Sequence, residues 1–539
     1  MRLHLLPVLA VSALAAGDAI PAPQTLPDPN LFLVAVVPDL KATFGRVEQA
    51  VQAIQPGVLP PGLMAMQAGG TFGDPGLNKL APRPVVIAVG PGAPLPTIVG
   101  IVPSTDTKAY VAAATGLGLM AEAVGDLVLV GQLPTAIDLG KALAKDYAAL
   151  TGPAVAAKAD IRLIIAPSKV VSTYGPMLQG FIQMAAAQTA GDPKAAQGMA
   201  MAQMVWPVLT GVAKDFAAKQ IDLFLKGDVL QIESSAAAAP GSILASMLVA
   251  PPAGLTRPPI PGNGCIAMGF NFNASAVVGG IAEYAVKFKA DPQAGPLFSD
   301  EVIALIRSAA GVYSGTGSGA VGGTDSLETS NILGITDAAK ARALAKQGLA
   351  LLGAGKVGEM YRDLGISVVL KENVRSTGGQ QIDRTEVTID EAKAQPGAKE
   401  MIQNIEFAFT KTQGLSSNVP ANVDALVAGK VLGKPLAAQA AFPGFDGFVD
   451  CDLISYLRLT MSIQAKAQPM IKPLADALAA AQPAPPILFA FKLADGKIQA
   501  KAQLPLKAIG NIGLAFAAGN PGGRPGGARP RPVADQNAY

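Results

Sequence analysis

The sequence predicts an α+β fold: a tandem duplication in which each half contains two ferredoxin-like units, with antiparallel sheets and helices on one face. Three observations lead there. Apolar runs of strand length alternate with segments of helical period. Asp-Gly and Gly-Asp pairs punctuate the chain between alternating apolar residues, a strong short-range hairpin signal. The same element order also returns at a fixed offset of 234 positions, once from Leu31 to Cys265 and again from Ile98 to Ile332.

In the first unit the strands are 31 to 37, 84 to 90, 97 to 103 and 127 to 130, with helices at 39 to 53 and 106 to 117. Leu31 to Val37 is an unbroken apolar run, and Asp39 then stands where a side-chain oxygen can cap a helix with Leu40, Phe44, Val47 and Val51 on one face. The second unit opens with Ile161 to Ala166 and Ser168 as cap, followed by a helix carrying Val170, Tyr174, Met177, Phe181 and Met184. It closes with Ile221 to Glu233, a hairpin turned at Gly227-Asp228. The third unit repeats the first, with Cys265 to Phe272, the cap Asn273, and Ala274, Val278, Ile281 and Ala285 along its helix. The fourth repeats the second, with Phe448 to Cys451, the cap Asp452, Leu453, Leu457 and Met461, and a hairpin from Leu488 to Ala502 turned at Asp495-Gly496.

These elements divide the chain into a signal peptide (1–16), a linker (17–30), unit 1 (31–150), unit 2 (151–250), a Pro-rich linker (251–262), unit 3 (263–440), unit 4 (441–518) and a disordered Gly/Pro/Arg-rich tail (519–539). The five prolines between Ala250 and Gly262 favour an extended connection. Gln55 to Gly76 is a Pro/Gly-rich insertion, either a packed loop or a flap. Leu31 to Val37, Val85 to Val89 and Ile98 to Val102 do not alternate in polarity, so both faces of their sheet should be covered. The cover is either a neighbouring unit packed sheet on sheet or a gap holding an apolar ligand. Strands merged into two large curved sheets would produce the same string.

Half of the 539 residues are apolar, 15% are charged and 5% aromatic, which excludes a disordered polyelectrolyte. The 42 Lys+Arg against 39 Asp+Glu leave a net charge of only +3, far short of the basic surplus that gripping phosphate backbones needs, so nucleic acid is not an expected partner. Met1-Arg2 followed by the apolar Leu5 to Leu14 and the small residues Ala13 and Ala15 reads as a secretory signal. Export to the periplasm or beyond follows, with no transmembrane segment in the mature chain. Cys265 and Cys451 are the only thiols and form a candidate disulfide, with two buried free thiols as the other reading.

The sole histidine, His4, falls inside the signal, which excludes Ser-His-Asp and Cys-His catalysis and the His-bearing zinc sets from the mature chain. Gly317 to Gly322 spells a dinucleotide fingerprint, but a strand rather than a helix follows, so it reads as a glycine-rich hairpin tip. Met199, Met201 and Met204 read as core-filling residues rather than a copper site. The charges from Lys371 to Glu391, among them Glu372, Arg375, Asp383, Arg384, Glu386 and Asp390, read as a solvated strand face with cross-strand ion pairs. No catalytic, cofactor or metal site is expected.

The layout, with Leu31 to Val37 and Asp39, and Ile221 to Glu233, as its best-defined pieces, resembles the large secreted envelope proteins of bacteria whose domains have no assigned function. That resemblance implies no activity and no site residue. Three readings stay open: a non-catalytic exported envelope protein with a structural or partner-binding role; a periplasmic carrier or sensor for an apolar small molecule such as a lipid; and an enzyme using carboxylates or a metal. An unknown envelope protein or an apolar small molecule is the expected partner. Arg524, Arg529 and Arg531 in the tail read as solubilising charges.

Overall fold

A computed structural model describes residues 22–28, 30–54, 76–92, 96–188, 193–394 and 398–519. The signal, residues 55–75 of the insertion and the tail beyond Gly519 lie outside the described residues. The apolar runs become strands. The first run comprises β1 (Leu33–Val37), β2 (Val85–Gly90), β3 (Thr97–Pro103), β4 (Met120–Val124), β5 (Leu127–Gly131), β6 (Ile161–Ile165), β7 (Phe216–Lys226) and β8 (Val229–Ala238). A second run follows with β9 (Ile266–Asn271), β10 (Tyr313–Gly322), β11 (Glu328–Ile335), β12 (Ile366–Thr377), β13 (Gln380–Ile389), β14 (Ile405–Phe409), β15 (Gln413–Ser417), β16 (Gly447–Cys451), β17 (Ile487–Ala494) and β18 (Lys497–Pro505).

All 18 strands join one antiparallel ladder, in place of the four separate sheets expected. The first run pairs in the order β4, β5, β3, β2, β1, β6, β7, β8. From β8 the ladder crosses to β18 and continues β17, β16, β9, β10, β11, β15, β14, β13, β12. Outward from the β8–β18 seam, β7, β6, β1, β2, β3, β5 and β4 meet in the same sequence as β17, β16, β9, β10, β11, β15 and β14. The β12–β13 hairpin is an addition to the second run. Each half ends in a hairpin whose outer strand would be a bare edge alone. Pairing β8 with β18 along Lys497↔Ala237 to Pro505↔Val229 satisfies both edges.

The hairpin turns stand where the sequence places them. Gly227 (φ 62°), Asp495 (φ 52°) and Gly496 (φ 72°) take the left-handed backbone that tight hairpin turns require. Asp39 caps the helix Leu40–Ile54 by accepting from the Ala42 amide at 2.8 Å. Asn273 and Asp452 do the same for helices Ala274–Lys289 and Leu453–Ala467, at 3.1 and 3.0 Å. Ser168 is not a cap: helix Pro167–Gln188 already begins at Pro167, whose fixed φ suits a first helical position.

Helices cover both faces of the second run, not one. Ile332 packs with Leu426 of helix Pro420–Val427, whereas Ile335 packs with Ala341 and Leu344 of helix Ala338–Leu352. Positions an odd number apart on a strand point to opposite faces. In the first run Val34, Val36 and Val86 are sealed by Ile137, Leu143 and Leu150 of helices Pro134–Lys145 and Tyr147–Ala157. The other face is less covered: Ile87 and Ile98 are 42% and 52% exposed. Here the expectation of two shielded faces fails, because the short helix Thr107–Gly116 packs over β4 and β5 and leaves β2 and β3 partly open. Among the described residues, all strands belong to the one ladder, and no second sheet takes its place.

One register row runs through every strand, from Glu122 on β4 to Arg375 on β12. Its flanks are apolar: Leu129, Ile101, Val86 and Val36 on one side, Ile332, Leu415, Ala408 and Ile382 on the other. Its centre is charged. Arg162, Asp222, Glu233 and Lys501 occupy β6, β7, β8 and β18 in succession.

Candidate functional site

The polar centre of the sheet continues one pleat along the same face. Gln220, Ser235, Gln499 and Lys492 line up on β7, β8, β18 and β17. Beyond them lie Asp446, just before β16, and Asn271 on β9, whose amide donates to the Asp446 carbonyl at 3.1 Å. Over this row runs the Pro-rich linker, which is a packed element: Ser318 Oγ donates to the Pro259 carbonyl at 2.7 Å and the Gly433 amide to that of Ile260 at 2.9 Å. Ile260 is buried against Leu436, Phe442 and Phe448.

Arg257 is the one charge in that linker, and it is turned inward. Its guanidinium lies 4.6 Å from the centroid of the Phe448 ring, and Nη2 donates to the Asp446 carbonyl at 2.6 Å. Asn271 Nδ2 is fixed by donation to the Leu255 carbonyl at 3.3 Å. Among the described residues, Arg257 Nε, Asn271 Oδ1 and Asp446 Oδ2 are buried without a hydrogen-bond partner. Beside them opens a cavity of about 500 Å³ between the linker and residues 431–439, which Arg257, Asn271, Lys434 and Gln439 help to line.

Burial pushes the Asp446 carboxyl up to about 7, against the pull of Arg257 and then Lys492 in the other direction. Burial likewise lowers the Arg257 guanidinium. A neutral Asp446 has an O–H to give, and its register neighbour Asn271 has a buried acceptor that lacks one. The arrangement can therefore take up and release one proton near neutrality. Sequence reasoning missed this cluster, because its members lie on the linker, β9, the approach to β16, and β17. The one available signal was Arg257, a lone charge among prolines and apolar residues.

The charged stretch from Lys371 to Glu391 forms the β12–β13 hairpin, and only part of it is a solvated face. Thr388 and Asp390 are exposed, but Asp383 is 1% exposed and its partner strand contributes Glu406 at 2%. Arg342 holds Asp383 with two bonds of 2.5 and 2.7 Å, and the Asn373 amide adds a third. Glu406 accepts from Arg375 and Arg384, and Arg375 also pairs with Asp424. Burial alone would raise both buried carboxyls, but their arginine partners outweigh it and hold Asp383 and Glu406 below the usual carboxylate range. Asp424 is held low by Arg375.

Cys265 and Cys451 come close in space. Cys451 ends β16 opposite Ile266 on β9, and the Asp452 amide donates to the Cys265 carbonyl at 2.7 Å. Both thiols are free, with Cys265 Sγ donating to the Val321 carbonyl at 3.3 Å. Gly317 to Gly322 is not a hairpin tip but the body of β10, between β9 and β11. A Cβ at Gly317 would overlap the Phe270 ring, so these glycines make room for neighbouring side chains. Met199, Met201 and Met204 all lie on helix Pro193–Lys214. Among the described residues, no group of three or more His, Cys, Asp or Glu side chains is placed to hold a metal ion.

Helices Pro167–Gln188 and Pro193–Lys214 pack on each other as a hairpin of two 22-residue helices, each about 33 Å long at 1.5 Å per residue. Between Lys169 and Lys214 only Asp192 and Lys194 carry charge. Met177, Leu178, Phe181 and Met184 are each 40 to 55% exposed. They fall within an arc of about 120° on one side of their helix. Among the described residues, no helix is long and apolar enough to cross a membrane. No family model, curated protein or solved structure matches the chain.

Proposed function

We propose that this protein is a non-catalytic exported envelope scaffold that binds a protein partner through the apolar stripe of helix Pro167–Gln188. The stripe is the observation that carries the reading. Four large apolar side chains stay wet side by side on one helix face, and contiguous exposed apolar surface of this kind marks interaction sites. The scaffold role draws support from the ionic groups. Asp383, Glu406 and the Arg162–Asp222 pair tie strands to one another or to a helix. The matching pairing order of the two runs supports descent by duplication of a strand-helix half, to which the β12–β13 hairpin was later added. Residues 1–16 serve as the export signal in this reading.

The test is a photo-crosslinking amino acid at position 181 in protein expressed in its own envelope, with the same group at the 92%-exposed Met470 as control. The proposal expects one discrete adduct from position 181 and none from 470, and loss of that adduct with Met177→Ser and Met184→Ser. Equal labelling from both positions, or none, overturns it.

A further inference from the structure

A second site, independent of the partner-binding reading, is the cleft of about 500 Å³ between the Pro-rich linker and residues 431–439. It is open to solvent at a rim that includes Val431 and Lys434, and its wall is apolar where Leu255 and Leu436 reach it. Arg257 and Lys434 are its cations, and among the described lining residues none is acidic. An anion entering the cleft meets two positive charges and no like charge from the walls.

Arg257 is fixed in place before any ligand arrives. Gly269 on β9 leaves the room its stem occupies, since a Cβ there would overlap Arg257 Cδ, and Phe448, the register partner of Gly269, supplies the ring beside the guanidinium. Asn271 pins the linker before Arg257, at the Leu255 carbonyl, and Ser318 pins it after, at that of Pro259.

What the guanidinium lacks is an anion. Arg162, Arg342, Arg375 and Arg384 each hold a carboxylate, whereas Arg257 donates only to the Asp446 carbonyl. Among the described residues neither its Nη1 nor the Lys434 ammonium has a hydrogen-bond partner. The Asp446 carboxyl does not fill the place. In its neutral form its O–H answers Asn271 Oδ1, which accounts for both orphan oxygens and leaves only donors unmatched. The group that complements them accepts and does not donate, as an ionised carboxylate does.

We infer that this cleft binds a small organic carboxylate, its head paired with Arg257 and Lys434 and its apolar body laid against Leu255, Val431 and Leu436. The guanidinium fork sets the orientation of the head, and burial of the body adds affinity.

The probe is hexanoate, titrated calorimetrically into the full chain at low salt and pH 6. Expected is saturable one-to-one binding, with hexan-1-ol at least about tenfold weaker, the range of a hydrogen bond to a charged group. Arg257→Gln lowers the affinity by a similar factor. If circular dichroism shows that variant to be unfolded, Lys434→Glu makes the test from the exposed rim, with a loss of roughly three- to tenfold. Lys108→Glu, exposed on helix Thr107–Gly116 beside the far end of the ladder, leaves binding unchanged. Asp446, whose charged neighbours are Arg257 of the linker and Lys492 of β17, ionises as pH rises through about 7 and then competes for Arg257. Affinity therefore falls roughly threefold or more between pH 6 and pH 8, and Asp446→Asn abolishes the fall. Absence of saturable binding overturns the inference. So does wild-type affinity in folded Arg257→Gln or in Lys434→Glu, or a loss with Lys108→Glu as large as with Lys434→Glu. Tighter binding of hexan-1-ol or hexyl phosphate than of hexanoate, or an undiminished pH effect in Asp446→Asn, overturns it equally.

Discussion

Glu233 on β8 and Lys501 on β18 face each other in register across the seam, with Nζ and Oε1 2.9 Å apart, and join positions 268 residues apart in the chain. Two strands away in the same row, Arg162 and Asp222 form a two-bonded pair at 2.6 and 2.8 Å. The difference between the two pairs is water. Glu233 and Lys501 keep over a quarter of their side-chain surface exposed, while Arg162 and Asp222 are 5% and 7% exposed as residues. Screening leaves the first pair worth under about 1 kcal/mol, whereas removing one partner of the second strands a buried charge.

Urea unfolding should separate them. Lys501→Ala is expected to cost less than about 1 kcal/mol, and Asp222→Ala about 3–5 kcal/mol. Similar costs for both would show that the Arg162 side chain is solvated.

Two sets of carboxyls predict opposite pH slopes. Asp383 and Glu406 have folded values below their unfolded ones, so their contribution is full above the unfolded range near pH 4 and is lost as pH falls through the depressed folded values. Asp446 is raised to about 7, so its contribution is full below about pH 4 and is lost as pH rises through 7. Asp446→Asn supplies a permanent donor toward Asn271 and should make the protein more stable than wild type at pH 8. The advantage should vanish at pH 4. Unfolding midpoints at both values check this, and an advantage of the same size at pH 4 would rule out titration as its cause.

Burial pushes the Cys451 thiol up to about 11 and raises Cys265 as well. The two free thiols should therefore alkylate slowly with iodoacetamide at pH 8 in the folded protein. Both should react fully in urea without reductant, which intact mass reports. A mass with no adducts after that treatment would instead mean that the pair is oxidised.

A Cβ at Gly447 would overlap the ring of Phe491, its register partner on β17. Gly447→Ala should cost about 1–3 kcal/mol through overpacking. Phe491→Leu in the same molecule should recover part of that cost in a double-mutant cycle. Strict additivity of the two changes would place the strain elsewhere.

The hairpins at Gly227-Asp228 and Asp495-Gly496 and the caps Asp39, Asn273 and Asp452 were legible because each is decided by a few adjacent residues. Helices Pro134–Lys145 and Tyr147–Ala157 were not among the expected elements; Gly140 and Pro153 interrupt the helical pattern locally. Gly140 in fact lets its helix approach Val99 and Leu129 closely, and the glycine serves packing. The single ladder was illegible for a different reason: which strand meets which is a non-local choice, and both arrangements of β8 and β18 share one local pattern. None of the Arg257, Asn271, Asp446 and Lys492 cluster was singled out, since four residues scattered over more than 200 positions carry no spacing.

The most direct measurement of the one-ladder architecture is hydrogen–deuterium exchange at the seam. If β8 and β18 are paired, amides in 229–238 and 497–505 that point into the seam are protected as strongly as those of β1 and β9, and they open together. Rapid exchange of those amides, with protection retained on the β7 and β17 sides of the same strands, would mean two separate sheets with bare edges.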